Sequence, residues 1–376
     1  MGDLNNIDIG WRSALMFAVC LPMVVVALML ALRRVEQPAN RFLAAFLMIV
    51  VISQIPQIIG FAGFYTVWPG LTFAPFGVEL YAGPLLYFHA DRLMMGRALG
   101  WRRWLLLPGI VQTAYYTVAF TQLGDYKAKW AYNGAVHEPY VDPVEAVIGL
   151  ALMLFALIAI FRMMRQYRAY LNSTQSAAVD FEPVWLTRLM IAMVLAGILF
   201  AGLELVPLLV GGVSYVDVFP PQVLMTALVA WVGLQALAQT TVPFPKMPDP
   251  AEATGAPADA SVEGKDWVAE GRALERALTD GGWYLESRLS IKEVASRMAT
   301  NETYVSRAVN KGLGVTFNRF VNELRVNHAK QLITDGAVSL LNVASSAGFN
   351  SKATFNRVFR EVANQTPSQF KKSQKP

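Results

Sequence analysis

Two sets of residues in this 376-residue chain are placed where they could do chemistry. One is a scatter of polar side chains inside long apolar runs: Gln54 and Gln57 flanking Pro56, then Glu79, Glu145, Glu204 and Asp217, with Tyr81, Tyr115 and Tyr116. Polar groups in hydrocarbon are costly, so such residues either line a cavity for a cationic or hydrogen-bonding ligand or join helices to one another. The other set lies in GFNSKATFNRVFRE, Gly348 to Glu361, a helix start followed by a helix with lysine, arginine and hydroxyls suited to a nucleic-acid duplex. Covalent chemistry has little to work with. His89, His137 and His328 share no ligand spacing, Cys20 is the sole cysteine, and no H-E-x-x-H, G-x-S-x-G or phosphate loop is present. The expectation is a protein that is not an enzyme, with no metal, disulfide or cofactor.

The elements that carry these residues differ sharply in composition. Hydrophobic residues make up 55% and charged residues 16% of the chain, against roughly 25% charged in soluble domains. Residues 1–239 hold 14 Lys+Arg and 13 Asp+Glu, residues 240–265 hold 2 and 4, and residues 266–376 hold 16 and 10. The basic excess therefore belongs to the C-terminal third, which favours a polyanionic partner there.

Seven apolar stretches approach the roughly 20 residues that span a hydrocarbon core: 11–32, 41–62, 71–92, 103–123, 143–163, 184–210 and 215–238. Internal prolines such as Pro22, Pro56 and Pro207 are compatible with membrane helices when neighbours satisfy the freed carbonyls. Arginines collect in alternate connections: Arg33, Arg34 and Arg41, then Arg92, Arg97, Arg102 and Arg103, then Arg162, Arg165 and Arg168. The other connections carry only Lys127 and Lys129. By the positive-inside rule the N-terminus lies outside and the C-terminus in the cytoplasm, which predicts a multi-pass protein of the cytoplasmic (inner) membrane. The start, MGDLNNIDIG, lacks the basic region of a cleavable signal peptide. In this orientation Gln57, Glu79 and Glu204 share the outer half of the spans and form the candidate ligand pocket. HADRL at 89–93 reads as an interfacial Asp91–Arg92 pair with His89 reaching the same interface.

Residues 240–265, rich in Pro, Ala, Asp and Gly, read as a flexible tether with an end-to-end distance of about 28 Å. Beyond it, Ser290 and Glu293 make a capping box for a helix with Ile291, Val294, Ala295 and Met298 on one face. A turn follows, and Asn301 caps a second helix with Val305, Ala308 and Val309 inside. The outline repeats with Val343-Ala344, a Gly348-Phe349 turn, and Asn350 as cap of a helix with Phe355, Val358 and Phe359 inside. Between the repeats, FNRFVNELRVNHAKQLIT has the length and stripe of one longer helix. Two helix-turn-helix units so joined could enter successive major grooves roughly 34 Å apart.

The stretch from about Trp283 to Lys372 resembles the AraC/XylS-type DNA-binding domain, through LSIKEVA, through TYVSRAVNKGLGVTFNRFVNELRVNHAKQLI, and above all through VASSAGFNSKATFNRVFREVANQTPSQFKK. The resemblance implies base contacts from the exposed start of each recognition helix. By position these fall to Thr303, Tyr304 and Arg307 in the first unit and to Lys352, Ala353, Thr354 and Arg357 in the second. Asn301, Asn350 and Ser351 would face phosphate. Glu302, at the start of the first recognition helix, departs from this scheme because it repels phosphate.

The sequence thus predicts an all-α protein: a seven-helix membrane bundle over 1–239 as sensor, a linker over 240–265, and a cytoplasmic DNA-binding domain over 266–376. Its function would be membrane-bound, sequence-specific transcription regulation; a transporter or ligand-binding membrane protein with an appended DNA-binding domain is the alternative. The partners implied are double-stranded DNA, the lipid bilayer, a small-molecule or protein signal, and a second copy of the chain if it dimerises.

Overall fold

The computed structural model describes residues 7–210, 216–217, 219–239, 242–248, 265–336 and 339–374, without the side chains of residues 196, 200–210 and 239. Among the described residues the chain is helical, with one isolated β-bridge, between Gln175 and Ser290. It divides into two compact units. Unit 1 comprises Met1–Met164 with Pro183–Lys246, and unit 2 comprises Arg165–Glu182 with Met247–Pro376.

Unit 1 is built on α1 (Trp11–Leu32), α2 (Gln37–Phe61), α3 (Ala82–Met94), α4 (Leu107–Gln122), α5 (Asp142–Thr174), α6 (Val184–Val210) and α7 (Phe219–Gln239). The last ten residues of α5 belong to unit 2. Helix α1 packs on α2 and α7, and α2 on α3, burying Met16, Met23, Leu30, Leu43, Phe46, Leu47, Leu86 and Phe88. Among the described residues, four helical stretches are long and apolar enough to cross a membrane: Trp11–Leu32, Gln37–Phe61, Tyr126–Thr174 and Phe219–Ala238. The count of seven full spans expected from the sequence is not reproduced at that standard. The third run breaks up because Phe73 adopts a left-handed φ of 64° and residues 74–78 are not helical, leaving α3 with 13 residues, about 20 Å. The fourth starts as a 3-10 turn, Gly100–Leu106, and leaves α4 with 16 residues. Helix α6 has 27 residues, of which the side chains beyond residue 199 are not described.

Two local expectations are corrected. His89 is fully buried with its Nδ1 2.8 Å from the Ala39 carbonyl, so it does not reach an interface. Asp91 pairs with Arg102 at 2.7 Å and Arg97 at 3.5 Å, whereas Arg92 donates to the Gly96 carbonyl. The sequence-adjacent arginine points elsewhere because neighbouring helix positions do not share a face. Most of the tether lies outside the described residues. Its described beginning is anchored: Phe244 donates its N–H to Glu36, and Lys246 donates to Glu36 at 2.5 Å and to the Leu93 carbonyl at 2.8 Å.

Unit 2 holds α8 (Trp267–Asp280), α9 (Ile291–Arg297), α10 (Glu302–Arg307), α11 (Phe317–Thr334), α12 (Leu340–Ser346), α13 (Lys352–Ala363) and α14 (Pro367–Ser373). Helix α11 organises it. Phe317, Phe320 and Val321 enter one core with Leu274, Leu278, Val294, Val305 and Val309. Val326, Ala329 and Ile333 enter another with Val343, Ala344, Phe349, Phe355, Val358 and Phe359. One helix therefore contributes to both cores and sets the spacing between them.

Candidate nucleic-acid interface

Each repeat in unit 2 is a short helix, a tight turn and a second helix, and the caps show why the chain folds so. Ser290 and Glu293 make the expected capping box on α9, and Asn301 accepts the Tyr304 N–H at 2.7 Å to start α10. The turns that precede α10 and α13 need a left-handed residue, Ala299 at φ 51° in the first unit and Gly348 at φ 80° in the second. At Gly348 a Cβ would lie 2.5 Å from the Leu285 carbonyl oxygen, so only glycine fits. The cap of α13 is Ser351, whose hydroxyl accepts the Thr354 N–H at 3.1 Å. This corrects the expected cap, Asn350, which stands one residue outside the helix and donates its side-chain amide to Asp180.

On α13, Phe355, Val358 and Phe359 are buried, and ring contacts run from Phe349 through Phe355 and Phe359 to Phe370 at 5.3–5.7 Å. Ser351, Lys352, Ala353 and Arg357 are exposed and Thr354 is half-buried. Arg357 forms a 2.9 Å ion pair with Glu361 one turn on. Such an exposed pair contributes little, so the guanidinium can exchange Glu361 for another acceptor.

The first unit presents less. Asn301, Glu302 and Thr303 are exposed, and Arg307 is half-buried. Tyr304 belongs to the wall of the domain: its ring packs against Trp267, Lys265 lies 4.7 Å above it, and its hydroxyl donates to Glu270. The bond to Glu270, helped by burial, pushes the phenol up to about 12. Each recognition helix is thus delivered by its cap and core with a polar edge outward, but the two edges differ in charge.

A buried guanidinium, which the sequence reading did not single out, sits between the two cores. Arg325 is 2% exposed and donates from Nε to the Tyr284 carbonyl at 2.7 Å and from one terminal nitrogen to the Glu286 carbonyl at 2.6 Å and the Ser176 hydroxyl at 3.0 Å. The same group lies 5.8 Å from the Phe349 ring centroid. Burial pushes its pKa down to about 10, still far above neutrality, so it stays charged. Its signal in the sequence was its place at i+4 from Val321 and i−4 from Ala329, on the buried stripe of α11.

In unit 1 the polar residues gather differently from the expected trio. Gln112 donates to Glu145 at 2.9 Å and to Glu79 at 3.4 Å, and Tyr116 donates to Glu145 at 3.4 Å. His137 joins Tyr115 at 2.9 Å and Asp142 at 2.7 Å. Beside them a cavity of about 530 Å³ is lined by Gln112, Tyr115 and Glu145 and by apolar side chains including Leu107, Val111 and Val144. Gln57 is on α2 and is not among the cavity-lining residues, and the side chain of Glu204 lies outside the described residues.

A family model described as a helix-turn-helix domain matches residues 294–373. These residues form an AraC-type helix-turn-helix domain. An uncharacterized HTH-type transcriptional regulator of Staphylococcus aureus (strain COL) is 34% identical to this chain over 83 residues, 22% of this chain and 11% of that protein. The melibiose operon regulatory protein of Escherichia coli (strain K12) is 28% identical over 87 residues, 23% of this chain and 29% of that protein. The likeness spans less than a third of either relative. Among solved structures, the C-terminal domain of AraT, a response regulator from Geobacillus stearothermophilus, matches 29% of this chain and 88% of its own at 18% identity, with a TM-score of 0.26.

Proposed function

We propose that this chain is a membrane-bound transcription regulator in which the AraC-type domain binds double-stranded DNA and the apolar unit holds it at the cytoplasmic membrane and senses a signal. The DNA reading rests on one observation above all: α13, capped by Ser351 and locked by its phenylalanines, offers Lys352, Ala353, Thr354 and Arg357 along one polar edge. Arginine can bind guanine O6 and N7 in bidentate fashion, lysine and the capped helix start suit phosphate, and the small Ala353 permits close approach to a thymine methyl. Thr303 and Arg307 play the corresponding part in the first unit, where exposed Glu302 reduces affinity.

Membrane attachment is supported by apolar residues that remain exposed on α1, α5 and α6, among them Phe17, Leu28, Val147, Ile158, Phe161 and Ile198. A protein surrounded by water rarely leaves so many uncovered. Orientation with the C-terminus inside is supported by the arginine-rich end of α5, since Arg165 and Arg168 belong to the same compact unit as the DNA reader and must share its compartment. The cavity beside Gln112 and Glu145 is the site we assign to the signal, a ligand with a hydrogen-bond-donating or cationic group and an apolar body.

The test is DNA binding by the purified full-length chain in lipid nanodiscs across salt concentrations. Sequence-specific binding that weakens steeply with salt is expected, with Arg357→Ala losing roughly ten-fold or more and relaxing specificity at one base position, and Lys352→Ala weakening all duplexes alike. Binding that is absent, or indifferent to salt and to both substitutions, would overturn the proposal.

A further inference from the structure

The connection between α5 and α6 is part of the DNA-reading unit, and its contacts there are specific. Ser176, 1% exposed, donates its N–H to the Leu289 carbonyl at 2.9 Å, and its own carbonyl accepts from Asn318 at 2.7 Å and from Asn322 at 3.5 Å. The Gln175 carbonyl accepts from Asn318 at 3.1 Å, and the Ser176 hydroxyl accepts from Arg325. Ala177, Ala178 and Phe181 are buried beside it. Helix α11 therefore commits two amides and part of a buried guanidinium to a segment more than 140 residues earlier in the chain. Beyond this anchor the segment turns exposed, and at Asp180 its carboxylate accepts the side-chain N–H of Asn350, the residue preceding the cap of α13.

We infer that residues 175–182 form an intramolecular strap that docks on α11 and sets the Asp180 carboxylate where a DNA phosphate would approach α13, so that DNA must displace Asp180 to engage the second recognition helix. The inference rests on the DNA-reading function proposed above. The start of a helix attracts an anion, because its first N–H groups are unsatisfied and the helix dipole is positive there. Asp180 supplies an anion in the absence of DNA and repels the phosphate that competes for the same place. The two zones of the strap have different strengths. The anchor is buried and held by several hydrogen bonds, whereas Asp180 and Asn350 are both exposed and exchange readily with solvent or phosphate. The strap is also covalently continuous with α5 at one end and α6 at the other, so a change in either helix acts on it directly.

The experiment uses the full-length chain in nanodiscs with a random-sequence 40-base-pair duplex pool and the duplex enriched from that pool by the protein itself. Asp180→Asn removes the charge at an exposed position. Asn318→Asp puts a carboxylate against the Gln175 and Ser176 carbonyls and loosens the anchor away from the recognition helices. Both are expected to bind DNA more tightly than the parent, Asp180→Asn by roughly ten-fold, the scale of one charged hydrogen bond. Equal or weaker binding by Asp180→Asn, with an unchanged helical melting profile, overturns the strap. For Asn318→Asp the melting profile is again the control, and a folded variant that binds no more tightly counts against the anchor. Failure of the parent and both variants to bind any duplex overturns the DNA-reading function instead, and a combined Asp180→Asn, Arg357→Ala chain that loses the gain ties the effect to α13.

Discussion

Arg325 brings a charge into the middle of unit 2 and satisfies it with backbone carbonyls and a hydroxyl. Burying a guanidinium is costly, and here its donors are used on the Tyr284 carbonyl and on the Glu286 carbonyl, which also accepts the Leu289 N–H. The residue connects the turn before α9 with the Phe349 side of the second core, so it fixes the two helix-turn-helix units to each other as well as to α11. Arg325→Met keeps the bulk but strips the donors from two carbonyls, and it should lower the stability of the unit by at least about 2 kcal/mol, read as a drop in thermal melting temperature. A melting temperature within one degree of the parent would show that water replaces the guanidinium at no cost. This role was half legible in the sequence. The i+4 spacing from Val321 marked the position as internal, but the partners come from residues 39 and 41 places away and from Ser176, and no periodicity reports contacts at that range.

At the scale of elements, agreement between sequence and structure follows how local the determining physics is. The capping box at Ser290, the Asn301 cap and the long α11 depend on residues within a turn or two of each other, and they stand where the pattern put them. The cap of α13 moved by one residue because Asn350 and Ser351 are both good caps and only the turn geometry at Gly348 decides between them. The third and fourth apolar runs were read by composition, which does not register the left-handed Phe73 or the 3-10 start before α4. The cap assignment has its own test. Ser351→Ala should destabilise the unit by about 1 kcal/mol, whereas Asn350→Ala should leave stability nearly unchanged, and chemical denaturation of the two variants separates them. The opposite ranking would return the cap to Asn350.

Over the whole molecule, the question is how a DNA reader and an apolar bundle come to share one chain. Sequence composition located the boundary between them near residue 240 but treated residues 1–239 as one block; the structure instead assigns Arg165–Glu182, from within that block, to the unit that carries the reader. No hydropathy scale could find this, since the strap is neither apolar nor periodic, and its place is fixed by hydrogen bonds to α11. The assignment constrains topology, because two segments of one compact unit lie on the same side of any membrane. Lys127, on the short helix Tyr126–Tyr132, and Asn172, near the end of α5, are both exposed and are separated by the apolar part of α5. In a Cys20→Ser background, Lys127→Cys should react with a membrane-impermeant maleimide in intact spheroplasts, and Asn172→Cys only after the membrane is opened. Labelling of Asn172→Cys in sealed spheroplasts would place the strap and the AraC-type domain away from DNA, and equal labelling of both sites would remove α5 from the list of spanning helices.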